Sequence, residues 1–341
     1  MLEQLTTILN QHKSAFHEQI PRYRQNRYVQ VVVLRETKSH AIFTTEGQTL
    51  DVERLQAGIA TRKPIDRVVM YKRKQIAPER RTGKALMREM DILTEIVVNK
   101  KKIERSKCQI MGNSCGYCPD CILYGFAATT GTGSQRARVL TDSGFVVRDI
   151  QQVMRNIKLN AIQDTIAGGI AGSAFASREN VLPQIFIPTV ETLLDVTATE
   201  FTYALGNILK TTRYGAESNR EGFLRNRVLG VYFSDVELFS NLELTQLYYD
   251  VLAEPTNGNV ADYLSADQFI SNWPQVEQAA LAQAVGRRSK VENLEDLLDG
   301  VRALYEDEKV LSTMLKKLDQ DALGYARDVK KGEAGEEDTE A

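Results

Sequence analysis

The chain is short of the residues on which most catalytic chemistry depends. Its three histidines, His12, His17 and His40, fall within the first forty of 341 residues, and none stands in a metal-ligand pattern with acidic residues. His12 and His17, five apart on a predicted opening helix, read as surface residues. There is no G-x-x-x-x-G-K-[ST], no G-x-G-x-x-G behind a strand and no G-x-S-x-G, and the Thr129–Gly133 string has the wrong flanks for a phosphate loop. No apolar run approaches the roughly eighteen residues that cross a bilayer, and the polar N-terminus lacks a signal-peptide layout. These absences predict a cytoplasmic protein without membrane contact and not an enzyme. Cysteine is scarce too: four residues, all in one short segment, in a chain with no secretion signal, which argues against disulfides. No internal repeat is evident.

What remains is an ordinary soluble composition, 43% hydrophobic and 26% charged, long enough for one large domain or two moderate ones. The net charge of −2 conceals a strong polarity. Residues 20–110 carry 21 Lys/Arg against 10 Asp/Glu, whereas residues 241–341 carry 10 against 21. Such a distribution suits a protein that grips a polyanion at one end, and it equally suits two solvated surfaces.

Hydropathy patterning predicts an amphipathic helix over 2–18 and a buried central strand at Tyr28–Leu34, apolar on both faces. A hairpin is expected over 41–52, a strand over 67–74 ending in a basic cluster, a polar loop opened by Pro78, and a short helix over 84–95. Further strands are expected at 184–188 and 228–233. From 241 on the chain turns helical, with Val291, Leu294, Leu297, Leu298, Val301, Leu304 and Tyr305 at helical spacing. Residues 331–341, lacking anything to bury, are expected to be disordered. The order of elements predicts an α+β protein with insertions.

The four cysteines are Cys108, Cys115, Cys118 and Cys121, spaced C-x6-C-x2-C-x2-C within fourteen residues. Zinc takes four thiolates in a tetrahedron, and a C-x2-C turn brings two of them to one ion. Gly112, Gly116 and Pro119 supply turn geometry; Lys100 to Lys102 and Lys107 would offset the charge. Four thiolates leave no open position, so such a site is structural. Iron–sulfur clusters use the same ligands, but the bacterial ferredoxin spacing differs and its Cys-Pro is missing.

Two segments combine cations with aromatic or flexible residues, as RNA grips do. One is Tyr71–Lys74 with Arg80, Arg81 and Lys84. The other runs from Arg213 and Tyr214 through Arg220 to Arg225 and Arg227. The alternative for the second is a solvated hairpin paired with Glu217 and Glu221. Arg22–Arg27 is a third basic stretch that equally suits a cap on the sheet. The glycine-rich run Gly168–Gly172 suits close backbone approach or tight helix packing.

Cys115-Gly-Tyr-Cys-Pro-Asp-Cys-Ile-Leu-Tyr-Gly-Phe126 and Arg213-Tyr-Gly-Ala-Glu-Ser-Asn-Arg220, followed by Arg225-Asn226, resemble the backbone subunit of type I-D CRISPR Cascade (the Cas-seven superfamily), with segment order agreeing up to about residue 320. The resemblance implies an RRM-like (ferredoxin-like) core over 1–98 and 127–240, a four-stranded sheet with helices on one face. It also implies a zinc-binding insertion over 99–126 and a helical region over 241–330, before the acidic tail. It implies a subunit that polymerises along crRNA and displays it for target DNA pairing in antiviral defence, with other copies of itself and other Cascade subunits as partners. Carried over, zinc falls to the four cysteines, and RNA contacts to Lys72, Arg73, Lys74, Arg80, Arg81, Arg213, Tyr214, Arg220 and Arg225. Two alternatives are a metal-dependent nuclease using Asp142, Asp149 or Asp164, and a zinc-dependent protein-interaction module.

Overall fold

The computed structural model describes residues 1–45, 47, 49–98, 100–127, 133–162, 171–215, 222–255 and 258–337, without the side chains of 159–162, 171–176 and 330–337. The organising element is β1 (Tyr28–Thr37), every residue of which is buried. It lies antiparallel between β12 (Phe186–Leu194) and β14 (Gly222–Ser234), with Val31 opposite both Glu191 and Val231. Short strands extend this sheet to six among the described residues. β8 (Val139–Thr141) lines up on β12, while β13 (Arg213–Tyr214) and β15 (Arg288–Lys290) pair with β14.

The run of valines in β1 is explained by cover on both faces of the sheet. Val29, Val31 and Val33 enter one core with Phe201 and Leu205 of α5 (Ala198–Lys210) and Leu297 and Val301 of α8 (Leu294–Glu306). Leu5 of α1 (Leu2–Gln11) and Leu311, Leu315 and Leu318 of α9 (Glu308–Glu337) complete it. Val32 and Leu34 enter a second core with Tyr248 of α6 (Asn241–Leu252) and Phe269 and Trp273 of α7 (Ala266–Leu281). A strand buried on both faces needs apolar residues at both parities, and β1 supplies them. The one-sided helical cover implied by the resemblance is therefore not what the chain adopts. The α+β class stands.

Around this centre lie β2 (Val52–Gln56), β3 (Pro64–Met70) and β9 (Gly144–Phe145) in a three-stranded sheet. Three two-stranded ribbons accompany it: β4 (Glu95–Val98) with β5 (Lys101–Glu104), β6 (Phe126–Ala127) with β7 (Ser134–Gln135), and β10 (Met154–Ile162) with β11 (Ala171–Val181). α3 (Pro119–Tyr124) and α4 (Ile150–Val153) are single turns. No described helix is long and apolar enough to cross a membrane.

Five expectations are corrected. The opening helix ends at Gln11, followed by a 3-10 turn at Lys13–Ala15. The hairpin over 41–52 reduces to a bridge from Ala41 to Val181, and pairing begins at Val52. The strand over 67–74 stops at Met70. Where a basic loop and then a helix over 84–95 were expected, one helix, α2 (Lys72–Glu89), runs through Pro78. Its buried residues are Lys74, Gln75, Pro78, Glu79, Arg80, Gly83, Lys84, Leu86 and Met87; the apolar pair comes only in the last turn, and the polar burial before it is what hydropathy cannot see. At the C-terminus the α9 backbone continues to Glu337, inside the segment expected to lack structure; 338–341 lie outside the described residues.

Candidate nucleic-acid groove and metal site

The cysteine segment wraps onto the far end of α2. Cys108 follows a 3-10 turn, Cys118 precedes α3, and Cys121 sits within it. Gly112 (φ +80) and Gly116 (φ +71) take the left-handed conformations that tighten the loop between. The four sulfurs lie within 4.8 Å of one another, and all four residues are buried. Individual separations are 3.5 Å for Cys108–Cys121, 3.8 Å for Cys108–Cys118 and 4.0 Å for Cys115–Cys121. Bonds of about 2.3 Å to a central ion give tetrahedral edges of about 3.8 Å, so this cluster could hold a metal ion.

The surroundings are built for negative sulfur. The backbone N–H of Cys115 donates to Cys108 Sγ at 3.2 Å, and those of Tyr117 and Cys118 donate to Cys115 Sγ at 3.4 and 3.3 Å. Lys84 of α2 places its Nζ 3.1 Å from Cys108 Sγ, 3.7 Å from Cys118 Sγ and 3.1 Å from Asp120 Oδ2. Burial alone would lower the Lys84 pKa, but Asp120 and the Cys118 and Cys108 sulfurs outweigh it, and the ammonium is held charged. The thiols by themselves cannot all ionise. Hydrogen bonding with Cys115, Cys118 and Cys121 pulls Cys108 below the ordinary thiol range, and hydrogen bonding with Cys108 and Cys115 pushes Cys118 above it. A divalent cation among the sulfurs removes that conflict. The lysines expected to balance the site lie outside it: Lys107 pairs with Glu104 and Lys102 with Glu95, all well exposed. Lys84 takes that role instead.

Between α2 and the cysteine segment runs a groove of about 1290 Å³. Lys72, Arg73, Lys74, Arg80, Arg81, Lys84 and Arg88 of α2 line it together with Cys108 to Met111 and Tyr124 to Ala127, and among the described residues Asp142 is the one carboxylate in its lining. Lys72, Arg73 and Arg81 are exposed along it. Lys74 is nearly buried, and its pKa is lowered first by burial and then by Arg73. Arg80 is committed inward: Nε and Nη2 reach Asp120 at 3.0 and 2.8 Å, Nη2 also reaches the Gly125 carbonyl at 3.0 Å, and the guanidinium lies 5.6 Å from the Tyr124 ring centre. Arg80 thus fastens the cysteine segment to α2, and a phosphate would have to displace Asp120 to reach it.

The second basic segment divides. Tyr214 is fully buried, so neither ring face is open to a base. Its hydroxyl donates to Glu79 at 2.8 Å and accepts from Asn226 Nδ2 at 2.7 Å and Arg35 Nη1 at 3.0 Å. Arg213 and Arg225 are exposed but do not line the groove, which Gly215 does reach. Arg220, Gly168 and Gly169 lie outside the described residues; Gly172 is in β11.

Beneath the groove lies a polar cluster that sequence reading missed. Arg35 of β1, wholly buried, reaches Glu79 Oε1 at 2.9 Å, Glu191 Oε1 at 2.6 Å, Thr189 Oγ1 at 3.1 Å and Asn226 Oδ1 at 3.1 Å. One cation faces two buried carboxylates. Burial, and then the neighbouring Glu79, hold Glu191 well above the usual carboxylate range against the pull of Arg35. The cluster locks α2 to β1, β12, β13 and β14. Of the candidate nuclease acids, Asp149 caps α4 and accepts from Asp66 N at 3.0 Å, Asp142 lines the groove, and Asp164 is outside the described residues.

A family model described as Csc2 Crispr matches residues 15–315. The crystal structure of Thermofilum pendens Csc2 is similar over 95% of this chain and 98% of that one, with 17% identity and a TM-score of 0.61, so the two share a fold. A chain of a pre-nicking CRISPR RNA-guided surveillance complex matches at 9% identity and a TM-score of 0.46, over 78% of this chain and 92% of that one. A chain of a further CRISPR RNA-guided surveillance complex matches at 10% identity and a TM-score of 0.42, over 81% and 98%. Likeness at those last two levels carries no argument. Among curated proteins, none matches.

Proposed function

Since this chain belongs to the Csc2 family of CRISPR proteins, in the Cas-seven group, we propose that it is the crRNA-binding backbone subunit of a type I-D Cascade effector. In this reading several copies line up along the spacer, hold the sugar-phosphate chain and leave the bases free to pair with target DNA. The observation that carries it is the groove, where Lys72, Arg73 and Arg81 are exposed along α2 and Asp142 is the one carboxylate among the described lining residues. A groove of that charge attracts phosphate without reading sequence, while base pairing supplies specificity. Lys72, Arg73 and Arg81 are its phosphate contacts, with Lys74 behind them. Arg213, Arg220 and Arg225 are proposed as further RNA contacts.

Zinc is the ion proposed for the four cysteines, in a structural role, because four thiolates at tetrahedral spacing leave no site for water or substrate. The subunit is proposed as non-catalytic and cytoplasmic, with other Cascade subunits as neighbours and its central sheet an elaborated RRM-like core. The test is to express the chain with a CRISPR array, purify it, and extract and size what it carries. Bound RNA of guide length supports the reading; protein free of nucleic acid, with an ultraviolet ratio typical of protein alone, refutes it.

A further inference from the structure

An acid is out of place in a groove that receives a polyanion. Asp142 nevertheless lines it, exposed, and among the described residues its carboxylate makes no ion pair and accepts no hydrogen bond. The backbone fixes where it stands. Val69 and Met70 at the end of β3 pair with Phe145 and Gly144 of β9. Two residues beyond that pairing, one chain segment arrives at Lys72, the first residue of α2, and the other at Asp142. Both therefore leave the sheet at the same end. Gln75 of α2, wholly buried, ties them together: its Nε2 donates to the Met70 carbonyl at 3.1 Å and to the Asp142 carbonyl at 2.8 Å. From α6, Asn241 Nδ2 donates to the Asp142 carbonyl at 3.1 Å and to the Ser143 carbonyl at 3.2 Å. These bonds hold the main chain beside the first turn of α2 and leave the carboxylate to the groove.

We infer that Asp142 selects RNA over DNA, by accepting a hydrogen bond from one ribose 2′-hydroxyl of the strand whose phosphates Lys72 and Arg73 hold. This rests on the reading of the groove as an RNA grip and adds the residue that tells the two sugars apart. The chemistry picks the occupant. An ionised carboxylate only accepts hydrogen bonds, so the ligand must bring the donor. Within a sugar-phosphate chain the phosphate and ring oxygens only accept as well. The 2′-hydroxyl is the one donor there, and DNA lacks it. Beside the phosphates an acid repels either strand, and only ribose offsets that repulsion with a hydrogen bond. The residue thus acts mainly against deoxyribose, as a charge left unmet, and it reads no base.

The test uses the full chain and two single strands of one sequence, RNA and its 2′-fluoro analogue, whose fluorine removes the donor while the sugar keeps its RNA-like shape. Each is titrated at two salt concentrations without divalent cations, and the RNA is then incubated with Mg²⁺. Wild type should bind RNA roughly tenfold tighter than the fluoro strand. Asp142→Ala should bring the two affinities close together, chiefly by tightening the fluoro strand, with the salt slope unchanged. Asp142→Asn keeps an acceptor without the charge and should retain part of the preference. Only the main chain of this residue is bonded, so the unfolding midpoint should match wild type in both variants. Equal affinity of wild type for the two strands, or a preference that Asp142→Ala leaves intact, overturns the inference while the RNA grip stands. RNA cleavage in Mg²⁺ that Asp142→Asn abolishes also overturns it, since the residue would then be catalytic. Failure of wild type to bind either strand overturns both readings.

Discussion

Replacing Glu191 by glutamine isolates the charge state of the buried cluster under the groove. Arg35, Glu79 and Glu191 are all wholly buried, and the second oxygens of both glutamates lack a hydrogen-bond partner. Burial and the neighbouring Glu79 raise the Glu191 pKa, so the folded chain keeps a proton there that the unfolded chain releases above the ordinary glutamate value of 4.5. A raised carboxyl pKa stabilises fully below that value, and the contribution is lost as pH rises toward the folded value, by up to about 1.4 kcal/mol per pH unit. Glutamine copies the neutral acid, keeping an acceptor for Arg35. Glu191→Gln should therefore match wild type below about pH 4.5 and be the more stable of the two near neutral pH, by up to about 1.4 kcal/mol for each pH unit above that value, because the amide carries no cost of keeping a proton. Arg35→Met strands the Glu79 carboxylate and leaves the Glu191 carboxyl without its partner, and should cost about 3–5 kcal/mol. Denaturant unfolding between about pH 7.5 and pH 5.5 reads the difference between wild type and Glu191→Gln, in which effects shared by both, the cysteines included, cancel. That difference should move in favour of wild type as pH falls. A loss of about 3 kcal/mol at neutral pH with no pH trend would show an ionised Glu191 and refute the reasoning.

Chelation, or Cys118→Ser, should release one metal ion per chain, expose all four thiols to a colorimetric reagent and unfold the segment, as structural zinc sites do. Asp120→Ala leaves Arg80 and Lys84 buried without their shared carboxylate and should cost about 3–5 kcal/mol on denaturant unfolding. Lys72→Ala combined with Arg73→Ala removes only exposed groove cations. RNA affinity should fall alike for unrelated sequences, the salt slope should shrink by roughly 0.7 per lost phosphate contact, and the unfolding midpoint should hold.

Parts of this arrangement are legible in the sequence because local patterns carry them. The valines of β1 declare burial on both faces, and the cysteine spacing declares a tetrahedral site without any knowledge of the fold. α2 is hidden for the opposite reason. Its inward stripe is polar until the last turn, and the partners that make such burial tolerable, Asp120 for Arg80 and Arg35 for Glu79, stand 40 and 44 residues away. Pro78 then suggests a break that tertiary packing overrides. Arg35 is still less visible: its contacts with Glu191, Tyr214 and Asn226 span 156, 179 and 191 residues. The same burial tempers the charge argument. Six of the 21 cations between residues 20 and 110, Arg35, Arg67, Lys74, Arg80, Lys84 and Arg105, are buried, so the surface is less basic than the count. Of the fifteen that are not buried, four, Lys72, Arg73, Arg81 and Arg88, line the groove. Tyr214 looked like a stacking platform because a linear string cannot show which side of a sheet a ring faces.

Ribonuclease footprinting of the chain reassembled with a guide of defined sequence tests the central claim most directly. A cationic groove repeated along the strand should shield the spacer backbone in regularly spaced intervals, whatever the spacer sequence. Digestion of the guide at the rate seen without protein would contradict the account.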